Sequence, residues 1–254
     1  MTQNFRGKIY LLRHGQTDCN KNGLWYCPEK SYINETGKRE ALNMVETIST
    51  INPQKVYCSP FQRCIDTAGI VMKELRGSEF LIKDCLRERN FQGIDGLTEY
   101  DVLKKYKVTM EKSPITGEID SIPNIEGSLS FNRRILKCID NLISEIEGDK
   151  NILLITHGGV IYSVVYQKLN LDPKPDPFFN CALLGLEIEN NTYKPILSVN
   201  IRENWYPGVD FSSTSLQISL NYQSTISMID KDYLETMFIP SSGQKCAKCQ
   251  AFSF

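Results

Sequence analysis

The sequence predicts an α/β fold: a mostly parallel central sheet covered by helices on both faces, three layers in all. Three observations predict it. Short apolar runs alternate with amphipathic stretches from residue 8 to about 169, the pattern of parallel strands joined by crossover helices. A length of 254 residues with 41% hydrophobic content is enough for one large domain with a sizeable core. Two of the apolar runs also end alike, Ile9-Tyr10-Leu11-Leu12 in Arg13-His14-Gly15 and Ile152-Leu153-Leu154-Ile155 in Thr156-His157-Gly158-Gly159. Strand ends are where open α/β sheets bind their ligands, and these two histidines are the only ones in the chain.

The elements follow in order. Ile9–Leu12 is predicted as a first strand, and Gly15 permits the sharp turn after it. Residues 18–31 are polar, broken by Gly23 and Pro28, and expected to be irregular. Ala41, Leu42, Val45 and Ile48 lie at helical spacing and predict a helix over 38–49, with Asn34 as its N-cap. Residues 55–59 form a second strand. A helix over about 61–75 follows, with Arg63 and Thr67 sharing a face near its start. Residues 80–86 read as a third strand that runs into the charged loop Arg87-Glu88-Arg89-Asn90. Residues 97–106 suit a helix. Residues 107–125, with Pro114, Gly117 and Pro123, read as a loop-rich insertion that caps a site. Phe131, Ile135, Cys138, Ile139, Leu142, Ile143 and Ile146 give the clearest amphipathic stripe, a helix over 129–146 capped by Ser128 or Ser130. The fourth strand, 151–156, ends at His157, and a helix over 160–169 follows. Residues 182–188 and 193–199 flank Asn190-Asn191 as an antiparallel hairpin. The domain is therefore expected to span 1–200, with 201–254 as a C-terminal extension rich in Ser, Thr and Gln.

Composition narrows the function. A net charge of −1 gives no global pull towards nucleic acid or an acidic membrane surface, so an anion site must be a local gathering of arginine. Nine cysteines, an odd number spread through predicted elements, suit free thiols in a reducing compartment better than a disulfide framework. No apolar leader stretch is visible at the N-terminus, and no run is long enough to span a bilayer. A soluble, cytoplasmic protein is expected, with room for a homodimer. Cys246 and Cys249 have the spacing of a zinc pair, but no second pair accompanies them, and a loose tail is the better reading.

The residues at the strand ends suit phosphoryl chemistry. A neutral imidazole attacks phosphorus at neutral pH if a hydrogen bond to its other nitrogen fixes the tautomer. Arginine binds phosphoryl oxygens through its planar fork. Arg13, Arg63 and a protonated His157 make a plausible cradle around His14. Glu88, at the end of the third strand, has the place of a proton donor, which requires a raised pKa.

These residues fall into motifs. Arg13-His14-Gly15-Gln16-Thr17, Asn34-Glu35-Thr36-Gly37 with Ala41, Ser59-Pro60-Phe61-Gln62-Arg63 with Thr67-Ala68, Leu86-Arg87-Glu88-Arg89-Asn90-Phe91-Gln92-Gly93 and Thr156-His157-Gly158-Gly159 occur in that order. Together they resemble the motifs of the histidine phosphatase superfamily, the phosphoglycerate mutase-like proteins of branch 1. The resemblance implies the phosphoglycerate mutase-like α/β/α fold. It implies His14 as phosphoryl acceptor, Arg13, Arg63, His157 and Asn20 as phosphate-binding residues, Glu88 as proton donor, and no metal or cofactor. The expected activity is metal-independent hydrolysis of a small phosphorylated metabolite through phosphohistidine.

The alternatives are a cofactor-dependent phosphoglycerate mutase and a non-catalytic module that binds phosphorylated ligands. Phe91 and Glu99 stand where the mutase branch has tyrosine and lysine. The paired arginines of its insertion are missing from 110–125, and Gly159 replaces an asparagine. These departures favour a phosphatase. Glu126-Gly127-Ser128 alters the family's Gly-Glu-Ser, so no role is assigned to Glu126. Leu24-Trp25-Tyr26-Cys27 departs from the family where substrate is touched, and Phe91 is read as packing. Each residue also has a plainer reading. His14 or His157 alone would suit a buried structural histidine, Arg63 a solvated helix residue, Glu88 a surface ion-pair partner and Asn20 a turn residue.

Overall fold

The computed structural model describes residues 6–107, 118–145, 150–171, 178–202 and 205–206. Residues 207–254, which make up most of the expected extension and include Cys246 and Cys249, lie outside the described residues, as does 108–117 of the insertion. Among the described residues no helix is long and apolar enough to cross a membrane.

Six strands form one sheet: β1 (Arg6–Arg13), β2 (Lys55–Cys58), β3 (Glu79–Ile82), β4 (Asn151–Thr156), β5 (Phe178–Glu189) and β6 (Thr192–Ile201), in the spatial order β3-β2-β4-β1-β5-β6. The first four are parallel, and β5 and β6 add an antiparallel hairpin at one side. Asn190 and Asn191 turn that hairpin with φ of 50° and 61°, the left-handed pair that a tight two-residue turn needs and that asparagine tolerates.

Side chains alternate across a strand, so β1 feeds two cores. Ile9 and Leu11 pack with Tyr57, Ile152 and Leu154 against α6 (Ser128–Ser144) and α7 (Gly158–Lys168). Tyr10 and Leu12 pack with Val56, Leu153 and Ile155 against α2 (Glu35–Asn43), α3 (Val45–Ile51) and α4 (Gln62–Val71). Every one of these strand residues is at most 5% exposed, and burying each such side chain is worth roughly 1.5–3 kcal/mol. A third, smaller cluster of Tyr26, Phe91, Ile94, Val102, Ile119 and Ile122 gathers under α5 (Glu99–Tyr106). Ile119 and Ile122 tie the described end of the insertion to it, and Phe91 packs within it.

Register decides where the chemistry falls. Arg13 pairs with Thr156, and Cys58 pairs with both Ile155 and Ile82. His14, His157, Ser59 and the turn after β3 therefore leave the sheet at one edge, side by side.

Several expectations are corrected. The stretch after Thr17 is not all irregular: α1 (Asp18–Lys21) forms there, with Thr17 and Asn20 capping each other reciprocally. The helix expected over 38–49 is two, α2 and α3, broken at Met44; Asn34 does cap α2, accepting the Gly37 N–H at 2.9 Å. The third strand stops at Ile82, because β2 offers it only four partners before Pro60; a 3₁₀ turn (Asp84–Leu86) takes its place. Helix α4 ends at Val71 rather than near Leu75. Neither Ser128 nor Ser130 caps α6 with its side chain. Asp120 reaches in from the cap to accept the Ser128 N–H at 2.9 Å and its hydroxyl at 2.6 Å. The expectation of free thiols fails for one pair: Cys85 and Cys138 form a disulfide, with Cα atoms 5.7 Å apart, because the 3₁₀ turn lies against α6. Fifty-three residues separate them, so neighbouring sequence gives no sign of the pairing.

Candidate active site

The site is built on the first strand end. The His14 N–H donates to the Thr156 carbonyl at 3.0 Å, and its own carbonyl accepts the Cys181 N–H at 3.2 Å. The residue is thus pinned between β4 and β5. Its ring Nδ1 lies 2.8 Å from the Gly15 carbonyl. A carbonyl only accepts, so Nδ1 carries the proton and Nε2 holds the lone pair. Gly15 is required for closeness as well as turning, since a Cβ there would overlap the backbone of Gly37. The Gly15 N–H donates to Thr67 Oγ1 at 3.0 Å, and that hydroxyl donates to the Arg63 carbonyl at 2.7 Å. The shared face of Arg63 and Thr67 on α4 thereby joins the strand end to the arginine.

Arg63 is buried, 2% exposed. Its Nε donates to His14 Nε2 at 3.2 Å, and its Nη1 to the carbonyls of Cys27 and Pro28 at 3.3 and 3.0 Å. Arg13 donates from Nη1 to the Phe178 carbonyl, while its buried Nε makes no hydrogen bond within the described residues. Burial and then the two guanidinium charges, Arg63 ahead of Arg13, hold His14 well below the usual imidazole range; the Gly15 carbonyl pulls weakly the other way. His14 is neutral at pH 7.

His157 completes this side. Its ring centre is 5.3 Å from that of His14, edge to face, and its Nε2 lies 2.8 Å from Ser59 Oγ. Burial, then Arg63, His14 and Arg13, hold it well below the usual range too. The protein's own burial and charges therefore disfavour a proton on His157; the protonated form expected in the cradle is one that a bound phosphoryl group has to favour. A ring enclosed among arginines gains nothing from a further positive charge.

Glu88 comes in from the loop after β3. It follows the 3₁₀ turn and accepts the Arg89 N–H at 2.8 Å and the Gly159 N–H at 3.1 Å. The second of these places the carboxylate at the N-terminus of α7. A Cβ on Gly159 would overlap it, which accounts for a second glycine after His157. Burial pushes the Glu88 carboxyl up; the two N–H groups, Arg63 and Arg13 oppose this without cancelling it. Asn20 lies at the rim. Its Oδ1 accepts from Thr17 N, Thr17 Oγ1 and Asn180 Nδ2 at 3.1, 3.0 and 3.2 Å, and its Nδ2 donates to Cys27 Sγ at 3.9 Å, so one N–H of its amide is left for a ligand.

A cavity of about 220 Å³ opens beside Glu88, lined by Tyr26, Glu29, Phe61, Arg87, Asn90, Glu126 and Arg134. Of residues 24–27, Tyr26 faces this cavity, while Trp25 packs towards Phe91 with ring centres 6.4 Å apart. Arg13, His14, Arg63, Glu88 and His157 are all brought together; Asn20 touches the group through Asn180. Sequence reasoning missed Ser59, Asn180, Glu126 and Arg134. Ser59 opens the motif that contains Arg63, but its residue type alone suggests no role. Arg134 carries no local signal that separates it from Arg133 beside it.

An imidazole with an unprotonated Nε2, two guanidiniums and a raised carboxyl at the ends of parallel strands define a site for phosphate esters. Comparison with known proteins agrees. The family model described as histidine phosphatase superfamily (branch 1) matches residues 9–201, so the chain belongs to that family, and it is a phosphatase of the histidine type. It is 28% identical over 155 residues to a probable phosphatase of Schizosaccharomyces pombe, covering 61% of this chain and 69% of that one. It is 27% identical over 166 residues to a metal-independent phosphoserine phosphatase of Arabidopsis thaliana, covering 62% and 66%. The fold matches that of a phosphoglycerate mutase from Bacillus anthracis, with a TM-score of 0.62 at 20% identity, covering 78% of this chain and 94% of that one.

Proposed function

We propose that this chain hydrolyses a small phosphomonoester without a metal, through a phosphohistidine at His14, and that residues 1–200 carry the activity with 201–254 as an extension. The observation that carries the reading is the locked imidazole: Nδ1–H on the Gly15 carbonyl, an unprotonated Nε2 that accepts from Arg63, and a raised Glu88 carboxyl held at the start of α7. Nε2 attacks phosphorus and the P–O bond to the alcohol breaks. The Glu88 carboxyl gives its proton to the departing oxygen. Arg63 and the unused Arg13 Nε hold the charge that grows on the phosphoryl oxygens, with His157 and the Asn20 amide at its edge. Water then attacks the phosphohistidine, Glu88 takes back a proton, and His14 leaves as neutral imidazole. The name of the Arabidopsis relative supports phosphoserine as the first substrate to test.

The test is release of inorganic phosphate from p-nitrophenyl phosphate, phosphoserine and a sugar phosphate in the presence of a chelator, with His14→Ala alongside. The expected loss in that variant is on the order of 10⁴-fold or more. Unchanged turnover by His14→Ala would sink the nucleophile assignment. Transfer to a second substrate hydroxyl instead of water would mark a mutase, and binding without turnover a regulatory module.

A further inference from the structure

Glu88 has few holds of its own. Its side chain accepts two backbone N–H groups, and it stands on a loop after a 3₁₀ turn, outside the sheet's hydrogen-bond ladder. What holds that loop is a side chain from another layer. Arg134, on α6, donates from Nη1 to the carbonyls of Cys85 and Arg87 at 2.9 and 3.0 Å, and from Nη2 to the carbonyl of Glu88 itself at 3.3 Å. The remaining edge of the guanidinium is a two-point fork on Glu126, Nε to Oε1 at 2.9 Å and Nη2 to Oε2 at 2.7 Å. Glu126 is stitched to the far side of the same loop. Its Oε2 accepts the Asn90 N–H at 3.2 Å and its own N–H donates to the Asn90 carbonyl at 2.8 Å. Its carbonyl accepts Arg89 Nε at 2.7 Å.

We propose that the Arg134–Glu126 pair, which also lines the cavity beside Glu88, is the positioning device of the acid. The proposal rests on the reading of Glu88 as proton donor. A planar fork with five donors is the one side chain that spans three carbonyls and a carboxylate at once. Lysine keeps the charge but has a single point of donation. Loss of the fork frees the peptide groups on either side of Glu88, and misplacement of a catalytic group by about 1 Å costs on the order of 10²-fold.

A leaving-group comparison isolates the effect. An alkyl ester such as β-glycerol phosphate needs a proton as it departs. p-Nitrophenolate leaves as a stable anion and does not. The quantity to measure is the ratio of kcat/KM on p-nitrophenyl phosphate to kcat/KM on the alkyl ester, which is insensitive to the folded fraction of the sample. Glu88→Gln is expected to raise this ratio about 10²-fold or more. Arg134→Lys is expected to raise it about 10-fold and Glu126→Gln by less, scaled down from full misplacement. In the Glu88→Gln background, Arg134→Lys changes the ratio no further, because the residue it positions is gone. If Arg134→Lys does not fold, Glu126→Gln alone and on Glu88→Gln decides the question in its place. Unchanged ratios in the single variants overturn the proposal. So do effects that multiply in the double variant, which would mean that Arg134 touches substrate directly. If wild type and His14→Ala turn over p-nitrophenyl phosphate equally, the phosphohistidine reading fails and takes this one with it. If His14→Ala is dead and the ratios do not move, only the clamp is wrong.

Discussion

The two halves of the site are held in different ways. On one side, His14 and His157 leave adjacent parallel strands whose register is Arg13 against Thr156, so backbone hydrogen bonds place both rings. On the other, Glu88 lies beyond a strand that stopped four residues after it began, and the distant side chains Arg134 and Glu126, with neighbouring Arg89, hold its loop. Arg89 is 2% exposed and pairs with Asp120, which in turn caps α6. The nucleophile thus inherits its position from the sheet, which is costly to disturb. The acid depends on a few buried polar contacts, each of which costs on the order of 1–3 kcal/mol to leave unmade. Substitutions should therefore break the two halves differently.

Beyond His14 itself, the largest effect is expected on the nucleophile side from Arg63→Ala. It removes the guanidinium beside His14 Nε2 and a principal holder of phosphoryl charge, and should lower kcat/KM about 10²–10³-fold on any ester, whatever its leaving group. Steady-state rates on p-nitrophenyl phosphate and an alkyl ester check this; a loss confined to one of them would refute it. Next comes Gly159→Ala, which pushes a methyl group against the Glu88 carboxylate. Kinetics on the alkyl ester should show kcat/KM down by about 10-fold, with a smaller loss on p-nitrophenyl phosphate.

The pH dependence sharpens the same contrast. Glu88 is raised, so it keeps its proton further up the pH scale than an ordinary glutamate, and turnover of the alkyl ester should fall as pH rises through that shifted value. Stability runs the opposite way on the histidine side. His14 and His157 are lowered in the folded protein, so below an unfolded value of about 6.5 the unfolded chain binds protons that the folded one does not. Stability is full above that pH and is lost as pH falls towards the folded values, at up to about 1.4 kcal/mol per pH unit for each histidine. Melting temperatures from pH 7.5 to 5 should drop, and His157→Asn should flatten the curve. A curve as steep as the parent's would count against neutral burial of that ring. The smallest effect is expected at the α2 N-cap. Asn34→Ala loses the bond to the Gly37 N–H and one to the Gln16 side chain; it should cost about 1 kcal/mol in denaturant unfolding and change kcat/KM far less than Gly159→Ala.

Much of the nucleophile side was legible in the chain. Apolar runs that end in Arg13-His14-Gly15 and His157-Gly158 mark strand ends, and a glycine after a histidine points to a carbonyl near the ring. Both signals are local, because a parallel strand buried on two faces must be apolar and must stop at a turn. The acid side was legible only in Glu88 itself. Arg134 lies 46 residues from the Glu88 carbonyl it holds, and Glu126 stands in an altered motif that argued against a role. The Cys85–Cys138 disulfide and the Asp120 cap of α6 were equally hidden.

The sequence by itself determined the layered α/β fold, the strand ends and the five residues that meet there. Hydrophobic periodicity and turn chemistry act over a few residues, and short stretches record them. Tertiary structure alone decided the partners of each side chain: Ser59 on His157, Arg63 on His14, Arg134 and Glu126 on the loop of Glu88. It also decided the surroundings of His157, where burial and the neighbouring arginines push the imidazole down. Those contacts depend on how the layers pack across distances in sequence that no local pattern encodes.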